Sequence, residues 1–110
     1  MMNETEFLTL AEQVLDHIES QADDWAAGTD LDIEASRNGN VLTLVFGENA
    51  QIVINTQAAM QEIWVAARSG GFHYRLQDGH WRDTRGGPDL PEALSQIVSN
   101  AAGEVLTVKL

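Results

Sequence analysis

The stretch Leu31-Asp32-Ile33-Glu34-Ala35, then Asn38-Gly39, then Val41-Leu42-Thr43-Leu44-Val45-Phe46 decides the fold class. In its first part apolar and acidic residues alternate, the period-two pattern of a half-buried strand. Asn38-Gly39 is a hairpin signal, because a type I′ turn needs positive φ and these residue types accept it. Residues 41–46 then read as the return strand, with Leu42, Leu44 and Phe46 on one face. Antiparallel pairing is thus specified by local sequence.

The same alternation runs on. Gly47-Glu48-Asn49 is expected to turn the chain, and residues 51–55 to form a third strand with Ile52 and Ile54 inward. Residues 62–68 read as a fourth, with Ile63, Val65 and Ala67 inward and Gly70-Gly71 as its break. Residues 72–76 and 80–83 read as a last hairpin across Asp78-Gly79. Before the strands, residues 5–25 carry Phe7, Leu10, Ala11, Val14, Leu15, Ile18, Ala22 and Trp25 at helical spacing. Asn3 or Thr5 is the expected cap, and Ala26-Ala27-Gly28 the expected end. A second helix is expected from Asp89, where Asp89 with Glu92 fits a capping box and Pro91 suits a first turn. Leu90, Leu94, Ile97, Val98 and Ala101 form its apolar stripe, and Gly103 its stop. The tail, residues 104–110, is apolar at alternate positions and is expected to pack back. No repeat, linker or low-complexity stretch interrupts the chain. The expectation is an α+β two-layer sandwich over residues 1–110, both helices on one face of a single antiparallel sheet, the other face in solvent.

Charge is distributed very unevenly. Residues 1–36 hold ten of the seventeen acids and no Lys or Arg, so they carry −10 of the net −11. Clustered like charges repel and cost stability, which points to a cationic partner, either a metal ion or a basic protein surface. The same net charge disfavours nucleic acid and anionic membrane. There is no Cys, which excludes disulfides, thiolate zinc and thiol catalysis. The N-terminus lacks the pattern of a signal peptide, and no apolar run approaches the roughly 20 residues of a membrane helix. A cytoplasmic protein is the expectation.

Glu12, Asp16, Glu19 and Asp23 fall within roughly 60° of one another on a helical wheel, at about 100° per residue. They make a stripe down one flank of the first helix. Asp24 adjoins them at the expected helix end, where the macrodipole disfavours anions. Asp30, Asp32 and Glu34 are expected on the outward face of the first strand, so helix and strand acids would form one carboxylate ridge without positive neighbours. Carboxylate oxygens suit hard cations such as Mg²⁺, Ca²⁺, Mn²⁺ or iron. A convex ridge cannot enclose an ion, so binding should be weak and loosely selective. The alternative reading is a solvated, solubilising face. No EF-hand spacing and no paired Glu-x-x-His motif is present.

On the exposed sheet face, Trp64 is expected to point outward beside Glu62, with Asn55 and Gln57 nearby. An exposed Trp amid amides suits a protein-binding hot spot; the alternative is a Trp covered by a loop. His17, beside the apolar stripe of the first helix, and His73 and His80 on late strands read as structural rather than ligating, with His17 the most tempting ligand because it neighbours the acids. Trp25 and Trp81 read as core or rim aromatics. The paired glycines fit no phosphate loop, and no nucleophile elbow is present, so no catalytic constellation is expected.

Taken in order, Gly39-Asn40-Val41-Leu42-Thr43-Leu44, Ile52-Val53-Ile54-Asn55-Thr56-Gln57, Ile63-Trp64-Val65-Ala66, Gly70-Gly71-Phe72-His73-Tyr74 and Trp81-Arg82-Asp83 resemble frataxin. The acidic helix ending Asp23-Asp24-Trp25 is similar to that of bacterial members, and the likeness spans essentially the whole chain. It implies the same sandwich, with a role in iron–sulfur cluster assembly. It further implies weak Fe²⁺ and Fe³⁺ binding on the acidic ridge and contact with the cysteine desulfurase through that ridge. Carried over by position, the iron-binding acids are Asp16, Glu19, Asp23 and Asp24, with Asp30, Asp32 and Glu34 beyond. The partner-binding sheet face carries Asn55, Gln57 and Trp64, with the scaffold protein as a second expected partner. A monomer is the default, and an iron-dependent oligomer its alternative. The chain departs from its relatives at Ser20, Ala26 and Ala27, where acids are frequent, and at Glu62, where Gln is common.

Three functions follow for weighing: an iron-binding regulator of cluster assembly, an acidic docking module whose metal binding is incidental, and a ferroxidase. The last needs buried ligands that hold Fe²⁺ while O₂ reacts, and the sequence offers none. A non-enzymatic role without an organic cofactor is the expectation.

Overall fold

Asn3 begins the first helix. Its Oδ1 accepts from the Glu6 backbone N–H at 2.8 Å while the Glu6 carboxylate accepts from the Asn3 N–H, a reciprocal cap. The computed structural model describes residues 2–48 and 50–110. Helix α1 covers Glu4–Gly28, running through the Ala26-Ala27-Gly28 segment expected to end it. Alanines at 26 and 27 favour helix, and the stop is Thr29, not Gly28. The Thr29 hydroxyl donates to the Trp25 carbonyl at 2.6 Å, and its backbone N–H to the same oxygen at 3.1 Å.

Six strands follow: β1 (Ile33–Asn38), β2 (Val41–Phe46), β3 (Ala50–Gln57), β4 (Glu62–Ala67), β5 (Gly70–Gln77) and β6 (His80–Asp83). They pair antiparallel in chain order as one sheet. The first strand is shifted from its expected place at 31–35. Asn38 is its last residue, paired with Val41, so the turn falls on Gly39-Asn40. Gly39 has φ +59°, and Asn40 is not among the described residues of positive φ. A turn with positive φ at its first central position alone is the II′ pattern, which glycine serves. Asp78-Gly79 does form the I′ pattern, with φ +52° and +79° between paired Gln77 and His80. Gly70-Gly71, expected as the break after the fourth strand, opens β5 and pairs with Ala67 and Ala66. The turn expected over 47–49 falls partly on Asn49, outside the described residues.

Helix α2 covers Leu90–Ala102 and ends on Gly103, whose φ of +75° puts it in the left-handed region. Asp89 stands at its N-cap, but its side chain makes no capping bond. The expected capping box is therefore not formed. Pro91, the second helical residue, has no N–H and so removes one of the two donors a cap side chain can use.

Both helices lie on the sheet face lined by Leu42, Leu44, Phe46, Ile52, Ile54, Ile63, Val65 and Tyr74. Phe7, Leu15 and Ile18 of α1 and Leu90, Leu94 and Val98 of α2 meet that face fully buried. Leu10, expected in the stripe, is 38% exposed. Trp81 packs edge-on to Phe7, with ring centroids 6.1 Å apart. The tail packs back as expected, burying Leu106 and Val108. Its backbone is held by side chains of both helices. Ser99 and Ser95 Oγ accept from Leu106 N at 2.9 Å and Val108 N at 2.8 Å, and Gln21 bonds both backbone groups of Lys109. No helix is long and apolar enough to cross a membrane among the described residues.

Candidate functional site

Helix α1 lies against β1, so the acidic flank of the helix runs along the edge of the sheet. Glu12, Asp16, Asp23 and Asp24 are exposed, and Glu19 is partly so. Because α1 continues to Gly28, Asp23 and Asp24 stand inside the helix rather than at its end. The macrodipole falls off within the last turn, so it opposes them less than their expected terminal place implies. The like-charge spacing of Glu19 and Asp23 at i, i+4 remains unfavourable.

The expectation of a ridge without positive neighbours fails at one point. Arg37, one residue beyond the acidic block, shares the side of β1 that carries buried Ile33, and so faces the helix. Its Nη1 donates to Asp16 Oδ1 at 2.9 Å and Glu19 Oε1 at 3.3 Å, while its Nε donates to the Gly39 carbonyl at 3.0 Å. The signal was available in the strand parity. On a sheet edge beside an acidic helix, an inward long cation has those acids as its nearest partners.

The strand acids are also less aligned than expected. Asp30 and Asp32 precede β1, and Glu34 is the only one of the three within it. Glu34 takes the parity opposite to Ile33 and Arg37, on the solvent face of the sheet. Helix acids and Glu34 therefore do not form one continuous row, although all lie at the same edge of the molecule. Among the described residues, no ion pair is made by Glu12, Asp23, Asp24, Asp30, Asp32 or Glu34. No group of three carboxylate or imidazole side chains is placed to hold a metal ion together among the described residues. His17 does not join the acids that Arg37 holds. It lines a shallow apolar cleft with Leu10, Leu76, Trp81 and Leu110.

The outward sheet face is organised around an acid the sequence misplaces. Glu62 was expected exposed beside Trp64, yet it is only 3% exposed. Its Oε1 accepts from the Trp64 indole N–H at 2.9 Å, and its Oε2 from Arg75 Nη2 at 2.6 Å. His73 Nδ1 lies 3.6 Å from Oε1. Trp64 is half-buried and stacks flat on His73, with ring centroids 4.3 Å apart and planes 8° from parallel. Register explains the cluster: Trp64 is paired with His73 and with Asn55, and Glu62 with Arg75 and with Gln57. Gln57 donates to Asn55 Oδ1 at 2.7 Å. The structure thus brings Asn55, Gln57 and Trp64 together and adds His73, Arg75 and Glu62. A buried carboxylate needs partners, and it obtains them by fixing the Trp64 ring.

This geometry sets the comparison with known proteins. The Frataxin-like domain matches residues 1–104. The chain belongs to the frataxin family. It is 72% identical over 109 residues to the "Iron-sulfur cluster assembly protein CyaY" of Bordetella pertussis, covering 99% of this chain and 100% of that one. The protein of the same name from Cupriavidus necator is 52% identical, covering 97% of this chain and 96% of that one. Among solved structures, frataxin from Psychromonas ingrahamii aligns with a TM-score of 0.86 at 30% identity, covering 99% of this chain and all of that one. Trimeric yeast frataxin complexed with ferrous aligns with a TM-score of 0.74 at 26% identity, over 86% of each chain. The expected two-layer α+β sandwich is therefore the frataxin fold.

Proposed function

We propose that this chain takes part in iron–sulfur cluster assembly, holding Fe²⁺ or Fe³⁺ loosely as cargo on its acidic edge and regulating a cysteine desulfurase and its scaffold protein. The supporting observation is the set of exposed carboxylates on α1 and the lead to β1 that make no ion pair among the described residues. It occurs in a chain near-identical in length to relatives named for cluster assembly. Hard oxygen donors on a convex surface attract a hard cation without enclosing it, so binding is weak and exchange is fast. The same field attracts a basic protein patch, so ion and protein compete for one surface. The Trp64 face, held rigid by Glu62 and His73, is the proposed docking surface for the scaffold protein. Pre-ordering an aromatic lowers the entropy lost on binding. A non-enzymatic role, in the cytoplasm, belongs to the same proposal: a ferroxidase needs ligands that keep Fe²⁺ in place while O₂ reacts, and among the described residues the acids of this edge lie at the surface and form no three-ligand group.

The second reading, a docking module with incidental metal binding, is favoured by the absence of a three-ligand group among the described residues. Asp16→Asn with Asp23→Asn separates the two. Anaerobic Fe²⁺ titration followed by amide NMR, beside desulfurase turnover with and without iron, should show iron binding weakened and iron-dependent regulation lost. Weaker desulfurase binding with iron-dependent regulation intact would establish the docking module instead.

A further inference from the structure

Arg37 stands where a cation bound by Asp16 and Glu19 would stand. Its guanidinium bridges two carboxylates on adjacent turns of α1 and is tied to its own hairpin through Gly39. The Arg37 side chain is only 20% exposed, whereas Asp16 is 69% exposed, so the arginine is packed and the acid reachable. We propose that Arg37 is a built-in competitor that withholds Asp16 and Glu19 from a hard divalent cation. This rests on the reading of the acidic edge as a cation surface and names the regulation of that surface.

Coulomb attraction between a carboxylate and a guanidinium at hydrogen-bond distance must be given up before both acids turn to an ion. Exchanging one cation for another at the same oxygens gains less than filling an unpaired pair of acids. The first ion therefore goes to the unpaired carboxylates, Asp23, Asp24, Asp30 and Asp32, and the Arg37 contact opens only at higher cation concentration. The strand parity of Arg37 makes the device part of the fold. A one-residue shift in the β1–β2 hairpin would turn its side chain to the other face.

Mn²⁺ is a suitable probe, because its paramagnetic broadening of amide signals reports location as well as affinity. In the wild type, broadening should centre on residues 23–32 and reach residues 16–19 only late in the titration. In Arg37→Gln it should reach Asp16 and Glu19 from the start, at about a three-fold lower half-effect concentration, the factor expected for one partly exposed ion pair. Arg82→Gln removes the same charge from the outward face of β6 and controls for net charge; it should titrate like the wild type. Arg37→Lys keeps the charge and loses the fork, and should fall between. Equal titrations of Arg37→Gln and Arg82→Gln would overturn the competitor. Broadening spread over the whole molecule in the wild type and in Arg37→Gln would instead overturn the cation surface itself, and the competitor with it. A second readout needs no variant: as Ca²⁺ is raised, the Arg37 Nε–H resonance of the wild type should move late in the titration. An Arg37 signal that stays fixed while the signals of residues 16–19 move would also overturn the proposal.

Discussion

Glu62 and the acids of α1 carry the same functional group in opposite surroundings. Glu62 is buried, and both its oxygens are bonded, to Trp64 and to Arg75. Glu12, Asp23 and Asp24 are exposed and make no ion pair among the described residues. A carboxylate in the first setting holds structure, because its desolvation is offset only by fixed partners. A carboxylate in the second setting contributes little to the fold and keeps its field available to something outside. Asp16 and Glu19 are intermediate, since one arginine serves both.

The contrast predicts opposite signs for the same kind of substitution. Glu62→Ala should destabilise by about 2 kcal/mol, because it leaves the Trp64 N–H and Arg75 without their acceptor. Arg75 is 49% exposed and regains water, which keeps the loss at that level rather than above it. Urea denaturation measures the loss, and a rise in Trp64 ring mobility should accompany it. A Glu62→Ala protein as stable as the wild type would remove the distinction between the two settings.

Tyr74 extends the same test to a second interior group. It is 1% exposed, and burial, with the nearby Asp83 charge, pushes its phenol up to about 12, partly offset by Arg85. The folded state therefore holds the proton more tightly than the unfolded chain, whose phenol titrates near 10. Stability should be unaffected by this group below about pH 10 and should fall as pH rises toward about 12. The chain has one Tyr, so phenolate absorbance near 295 nm follows that residue alone. A half-point near 10 in the folded protein would show that the inner sheet face admits charge as readily as the edge does.

Strand parity made most of this fold legible. The inward residues of β2 to β4 recur at every second position, and the hairpin signal at Asp78-Gly79 sits where the chain turns. What the sequence reading missed came from contacts between elements. Arg37 lies one residue past the acidic block, yet the sheet edge folds it onto α1. Glu62 was placed outside with Trp64, correctly for the strand face. Its burial depends on Arg75 and His73 of the neighbouring strand, which local alternation does not specify. The later start and end of β1 arose likewise, since Asn38-Gly39 favours a turn at either of two registers and pairing with β2 decides between them. The helix end moved because Thr29, not Gly28, supplies the capping bonds. The acids of α1, by contrast, needed only the helical wheel.

The smallest effect is the one that tests the edge most directly. Asp23→Asn removes the repulsion between Glu19 and Asp23, which share one helix flank at i, i+4 and of which Arg37 pairs only with Glu19. It should raise stability by about 0.2–0.5 kcal/mol at low salt. Asp16→Asn should not give that gain, because it also removes the contact with Arg37 at 2.9 Å. Salt screens exposed charges over about 10 Å at 0.1 M, so the advantage of Asp23→Asn should shrink as NaCl is added. The stability of the Glu62→Ala protein relative to wild type should change less, since its pair is buried on one side. Thermal melts of the three variants at 10 mM and 500 mM NaCl read all of this at once. A destabilised Asp23→Asn protein would mean that Asp23 has a partner inside the fold and that the acidic edge is structural.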